Sequence, residues 1–183
     1  MKIKMLSNLI GSAVLFVVFF MSSTAIAQQS SKDKKIVADA TESRAEFIRV
    51  DGLMKNLFDN AYGYVIFPNV GKGGIGVGGA AGNGAVYQKN ALIGMAKMTQ
   101  VTVGFQWGGQ AYREVIFFET KSDLDKFKTD KLEFSAQASA VAATVGASKN
   151  VNYKNGVMIF TQIKGGLMYE ASVGGQNFKF RKL

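Results

Sequence analysis

Between Asp39 and Ala61 the apolar residues recur at the spacing of a helix. Phe47, Val50, Leu53, Met54, Leu57, Phe58 and Ala61 fall on one stripe when successive residues are placed about 100° apart. Asp39, with Glu42 three residues on, has the form of a capping box, in which each side chain satisfies a backbone N–H left open by the first turn. The pattern predicts an amphipathic helix over Ala40–Asn60, stopping before Gly63 and weakened at Gly52 by about 1 kcal/mol relative to alanine. Such a stripe either packs on a sheet or, flanked here by Arg44, Arg49 and Lys55, lies against a membrane surface. Residues 28–37, which begin QQSSKDKK, read as a flexible polar tail.

After Asn60 the period shortens to that of strands, punctuated by turn residues. Strands are predicted near Tyr64–Phe67, Gly73–Gly78, Ala85–Gln88, Val101–Trp107 and Arg113–Glu119. Ser122-Asp123-Leu124-Asp125 starts a short second helix that closes by Asp130. Phe134–Val145 mixes alanine with β-branched residues and is read as a strand. Val157–Ile163, Leu167–Val173 and Gln176–Phe180 follow, joined at Lys164-Gly165-Gly166 and Gly174-Gly175 as hairpins. The expected fold class is α+β: a mainly antiparallel β-sheet, sandwich- or barrel-like, with an N-terminal amphipathic helix and a short second helix.

Nine glycines fall in the twenty-two residues Gly63–Gly84, and Gly71-Lys72-Gly73-Gly74-Ile75-Gly76 has the spacing of a dinucleotide fingerprint. That fingerprint works only where its last glycine opens a helix and an acid follows about twenty residues on. Here Val77-Gly78-Gly79-Ala80-Ala81-Gly82 follows, and no Asp or Glu occurs from Asn60 to Arg113. Glycines that relieve crowding in a curved antiparallel sheet account for the run better.

Composition narrows the function classes. Lys2 and Lys4, the apolar Leu6–Met21 and Ala25-Ile26-Ala27 together read as a secretory signal peptide over residues 1–27, leaving one domain over residues 38–183. The expected location after cleavage near Ala27 is the periplasm or cell envelope. Loss of Lys2 and Lys4 leaves a net charge of about +7. With no cysteine and no histidine, Ser-His-Asp and Cys-His nucleophiles and the usual zinc ligands are ruled out. The acids fall mostly within Asp33–Asp59 and Glu114–Glu133, where solvated helix faces explain them. The expectation is a non-enzymatic protein with no cofactor and no metal. Nucleic acid is not an expected partner, because the basic residues are spread out and export removes it.

Several further segments stand in a familiar order. They are Asn60-Ala61, Gly63-Tyr64-Val65-Ile66-Phe67-Pro68, the glycine strand through Gly79, Gly82-Asn83-Gly84, Gly104-Phe105-Gln106-Trp107-Gly108-Gly109-Gln110 and Gly165-Gly166-Leu167-Met168-Tyr169-Glu170-Ala171-Ser172. In that order the chain resembles the SYLF domain family from about Ala38 onward. The resemblance implies binding to anionic lipid through a basic surface and an N-terminal amphipathic helix, with phosphoinositides and actin as partners of eukaryotic members that an exported chain would not meet. Met95-Ala96-Lys97-Met98 stands where the family pattern has a Trp and a Pro.

Lipid binding asks for cations beside apolar anchors, each cation near a headgroup adding about 1 kcal/mol. The candidates are Arg44, Arg49, Lys55, Lys72, Lys97, Lys154, Lys164, Lys179, Arg181 and Lys182, the last three alternating with rings in Phe178-Lys179-Phe180-Arg181-Lys182. The expected partner is an anionic phospholipid surface bound reversibly; no protein partner is specified. The alternative is a small outer-membrane β-barrel, suggested by the export signal, glycines and hairpins. It is disfavoured by strands shorter than the 9–11 residues such barrels need.

Overall fold

Helix α1 is helical across residues 30–50 and α2 spans Met54–Asn60, so the predicted single helix is two, broken around Gly52. At the break the Asp51 carboxylate accepts from the Leu53 backbone N–H at 3.1 Å, a local bond that competes with helix continuation. The start also differs from expectation. Residues 30–37 are helical rather than a flexible tail, and Asp39 sits inside α1, where its carboxylate accepts from Asn69 Nδ2 at 3.1 Å instead of capping. This computed structural model describes residues 30–129, 140–166 and 175–183, with backbone alone at 75–77, 102–108 and 166. The signal peptide, the first half of the predicted strand Phe134–Val145 and the strand Leu167–Val173 lie outside the described residues. From Ile36 onward the described residues form one compact unit.

The first five predicted strands merge into two. β1 (Gly63–Gln88) and β2 (Ala91–Phe118) pair antiparallel from Gly63↔Phe118 to Gln88↔Ala91. Lys89 and Asn90, at φ 48° and 66°, make the two-residue turn, whose positive angles match the right-handed twist of the flanking strands. β2 is central. Its C-terminal half pairs β4 (Val157–Gly166), its N-terminal half pairs β5 (Gln176–Lys182), and the short β3 (Val141–Ala142) joins β4 in parallel. The α+β, mostly antiparallel expectation holds.

The β1–β2 ribbon rolls until the two halves of β1 meet. The Lys89 N–H donates to the Tyr62 carbonyl at 3.1 Å, and the rings of Tyr64 and Tyr87 stack at 4.9 Å. Glycine permits the approach: a Cβ on Gly84 would lie 2.6 Å from the Ile66 carbonyl oxygen and 2.7 Å from the Phe67 ring.

Rolling buries both faces of the strands, which is why YVIF, VIFF and VMIF read as unbroken apolar runs rather than alternations. Val65, Phe67, Ile116, Phe118, Val157 and Ile159 point into the roll, closed by Leu124 and Phe127 of α3 (Lys121–Lys128). Tyr64, Ile66, Val115, Phe117, Met158 and Phe160 point outward beneath Phe47 of α1 and Met54 and Phe58 of α2. Phe58 meets Tyr64 and Phe117 edge-on at 5.1 and 4.9 Å. The amphipathic stripe therefore packs on the sheet. The sheet is rolled but not closed, and helices cover the face that a transmembrane barrel would turn to lipid. No described helix is long and apolar enough to cross a membrane.

The short second helix is as predicted, with its cap one residue earlier than Lys121. Thr120 and Asp123 form a capping box in which the Thr120 hydroxyl accepts from the Asp123 N–H and the Asp123 carboxylate accepts from the Thr120 N–H.

Candidate functional site

The ten candidate cations divide by their surroundings. Arg44, Arg49 and Lys55, on the helices, are each matched to an acid. Arg44 Nη2 lies 3.3 Å from Asp59 Oδ1 with its guanidinium carbon 5.0 Å from the Phe58 ring centroid, and Lys55 pairs with the same Asp59 one turn away. Arg49 grips both Glu46 oxygens, at 2.8 Å for the closest contact. Arg113 of β2 approaches that carboxylate at 3.8 Å from below. The bonds to Arg49 and Lys55 hold the carboxyls of Glu46 and Asp59 below the usual carboxylate range. These cations tie α1 and α2 together and to the sheet.

A different arrangement stands on β2 and β5. Lys97 lies directly opposite Lys179 in the ladder, with Arg181 opposite Met95 and Lys182 opposite Gly94. Lys97, Lys179, Arg181 and Lys182 are all exposed. Beside them the face continues through exposed Asn83, Ala81, Thr99 and Asn177 to Val101, which is 68% exposed. At its other end Leu92 and Leu183 are exposed where the Leu183 N–H meets the Ile93 carbonyl. The strand segments 79–88, 91–101 and 176–182 contain no Asp or Glu. Like charges directly opposite in a ladder are destabilising, so Lys97 and Lys179 stay side by side at a cost unless an anion lies between them.

The remaining three cations fall elsewhere. Lys154 is exposed at the turn into β4. Lys164 Nζ of β4 donates to Asn69 Oδ1 at 2.5 Å and more weakly to the Pro68 carbonyl, so it is tied to β1. Lys72 departs from the expectation outright. At 4% exposure, opposite Gln110 in the ladder and on the same face as buried Val70, it points into the roll. The glycines around it hid which face it would take.

Inside the roll lies a polar group that the sequence reading missed. Glu114 lies not on a solvated helix face but fully buried in β2, on the same face as Gln110 and Tyr112. Its Oε2 accepts from Gln176 Nε2 at 3.0 Å, a bond that crosses from β2 to β5. Burial pushes the Glu114 carboxyl up to about 7, the Gln176 bond opposing this only in part. A signal did exist: Gln110, Tyr112 and Glu114 alternate into the apolar VIFF, which makes Glu114 part of the inward register. Asp51 is also buried but stays ionised. Its Oδ2 accepts from the Ser148 N–H at 2.8 Å and hydroxyl at 2.6 Å, and together with the Leu53 bond these outweigh burial and hold it below its ordinary value. Among the described residues no cluster of acids suits a metal ion.

Residues 99–182 match a family described as Ysc84, Las17-binding protein actin regulator. The matched stretch contains Glu114, Gln176 and the cations of β5, and excludes α1 and α2. Beta cell expansion factor A from Aeromonas veronii is 31% identical over 125 residues, which is 68% of this chain and 48% of that protein. The chain thus spans about half the length of that curated relative.

Proposed function

This chain belongs to the SYLF family through its Ysc84 domain, and from that premise we propose that it is an exported, non-enzymatic protein that attaches reversibly to anionic phospholipid surfaces. The contact surface is the β2–β5 face: Lys97, Lys179, Arg181 and Lys182 supply charge, and Leu92, Val101 and Leu183 supply apolar anchors. The observation that carries the reading is Lys97 opposite Lys179 on strand segments without acids. Phosphates relieve that repulsion, and four cations at about 1 kcal/mol each suffice for reversible attachment. The helix stripe is left out of the proposed contact surface because Phe47, Met54, Phe58 and Ala61 pack on the sheet, leaving Leu53 as its one large exposed apolar residue.

Flotation with phosphatidylcholine vesicles, with and without phosphatidylglycerol, tests the proposal. The protein floats only with the anionic lipid and is released by salt, since surface charge is screened within about 10 Å at 0.1 M. Equal recovery from both vesicles would refute it.

A further inference from the structure

Glu114 Oε1 and Gln176 Oε1 are buried acceptors without a donor among the described residues, and they belong to two side chains already joined by the Gln176 Nε2 to Glu114 Oε2 bond. A buried acceptor left without a donor is costly, yet a single proton cures both. A neutral carboxylic acid is a donor as well as an acceptor. We propose that Glu114 is protonated in the folded protein and that its O–H donates to Gln176 Oε1, closing a two-bond ring with the amide that latches β5 to β2 across the roll. Loss of that proton turns a donor into a second acceptor facing Gln176 Oε1, and β5 loosens.

Burial, not a neighbouring charge, favours the neutral form. The other inward-facing ionisable groups on the packed strands are Lys72 of β1 and Tyr112 of β2, and β5 turns only Gln176 and Phe178 fully inward, its cations facing out. β4 contributes Lys164, which is exposed. No second acid lies on β1, β2, β4 or β5. Burial raises the Glu114 carboxyl to about 7, so the latch opens as the medium passes from mildly acidic to mildly alkaline.

The consequence for docking rests on the proposed function, because β5 holds Lys179, Arg181 and Lys182. An ordered β5 keeps those cations in register with Lys97. Acid conditions then favour membrane attachment and alkaline conditions weaken it.

Hydrogen exchange at the β5 amides, expressed as protection factors and measured without vesicles, tests the latch apart from lipid binding. In the wild type, protection falls by up to about tenfold per pH unit as pH climbs from the ordinary carboxylate range towards 7, and it levels off above that. Glu114→Gln offers Gln176 the same two complementary bonds at every pH, so its protection stays high and flat. Wild-type protection that does not vary between pH 5.5 and 8.5, or a Glu114→Gln protein with the wild-type profile, overturns the proposal. Should that variant not fold, carbon NMR of the Glu114 carboxyl decides alone: a titration midpoint near 7 supports the latch and one below about 5 overturns it. Vesicle flotation at the two pH extremes separates the readings, since pH-dependent exchange with no vesicle binding leaves the latch standing and removes its role in docking.

Discussion

The helix-side cations and the β5-side cations are the same residue types with opposite fates. Arg44, Arg49 and Lys55 each found a carboxylate within a helical turn or across the α1–α2 gap. Lys97 found another lysine. Net charge therefore does not define a basic surface; the acids that accompany each cation do. On β1, β2, β4 and β5 the one acid is the buried Glu114, so the exposed cations of β2 and β5 have no carboxylate on the outer side of their own strands. The helices that looked like membrane anchors serve instead to cover the sheet.

The largest effect expected from breaking that contrast comes from Lys97→Glu with Lys179→Glu. Removing two cations and adding two anions costs about 4 kcal/mol of vesicle affinity at about 1 kcal/mol per charge, enough to abolish flotation. Lys97→Glu alone places an acid opposite Lys179. It should lower vesicle binding while raising the thermal midpoint, because an opposite-charge pair replaces a like-charge one at about 0.2–1 kcal/mol.

Glu114→Gln comes next. A carboxyl raised to about 7 in the fold makes stability decline as pH climbs from the ordinary carboxylate range to 7 and level off beyond it. At pH 8 the substitution should add at most about 3 kcal/mol in urea unfolding, and little at pH 4, a tenfold change in proton affinity being worth about 1.4 kcal/mol. Asp51→Ala works in the opposite direction and sharpens the helix side of the comparison. It strips the Ser148 N–H and hydroxyl of their acceptor and should cost about 2 kcal/mol, roughly one charge-assisted bond beyond solvent recovery. Because Asp51 is held below its ordinary value, that stabilisation is present at neutral pH and disappears on acidification through the folded value. Arg49→Ala should do least: exposed and paired with Glu46, it changes stability by under about 1 kcal/mol and leaves vesicle binding unchanged.

How much of this was legible in the sequence depended on local signals. The stripe through Phe47, Met54 and Phe58 foretold a buried helix face because helical period survives in sequence. Ser122-Asp123-Leu124-Asp125 placed α3, although the residue that caps it is Thr120. The break near Gly52 was harder, because a single glycine marks a weak point without saying that the Asp51 carboxylate will take the Leu53 N–H and end the helix. Strand continuity was hidden where glycines interrupt apolar alternation, and the Lys89-Asn90 turn lacks the glycine that usually marks its geometry. The candidate surface was half legible. Alternation in Phe178-Lys179-Phe180-Arg181 gave the exposed side of β5, with Phe178 buried. That Lys97 would be its neighbour is a matter of register between strands far apart in sequence. Lys72 and Glu114 were misread for one reason: polar residues in a rolled sheet can face inward, and only the roll decides which do.

The chain contains no cysteine, which permits the most direct test of which side meets a membrane. Thr99→Cys on the β2–β5 face and Asn56→Cys on the exposed side of α2 are labelled separately with a polarity-sensitive fluorophore and mixed with phosphatidylglycerol vesicles. The account predicts a blue shift from the Thr99 position and none from the Asn56 position. A shift at Asn56 with none at Thr99 would contradict it and return the helices to the role of anchor.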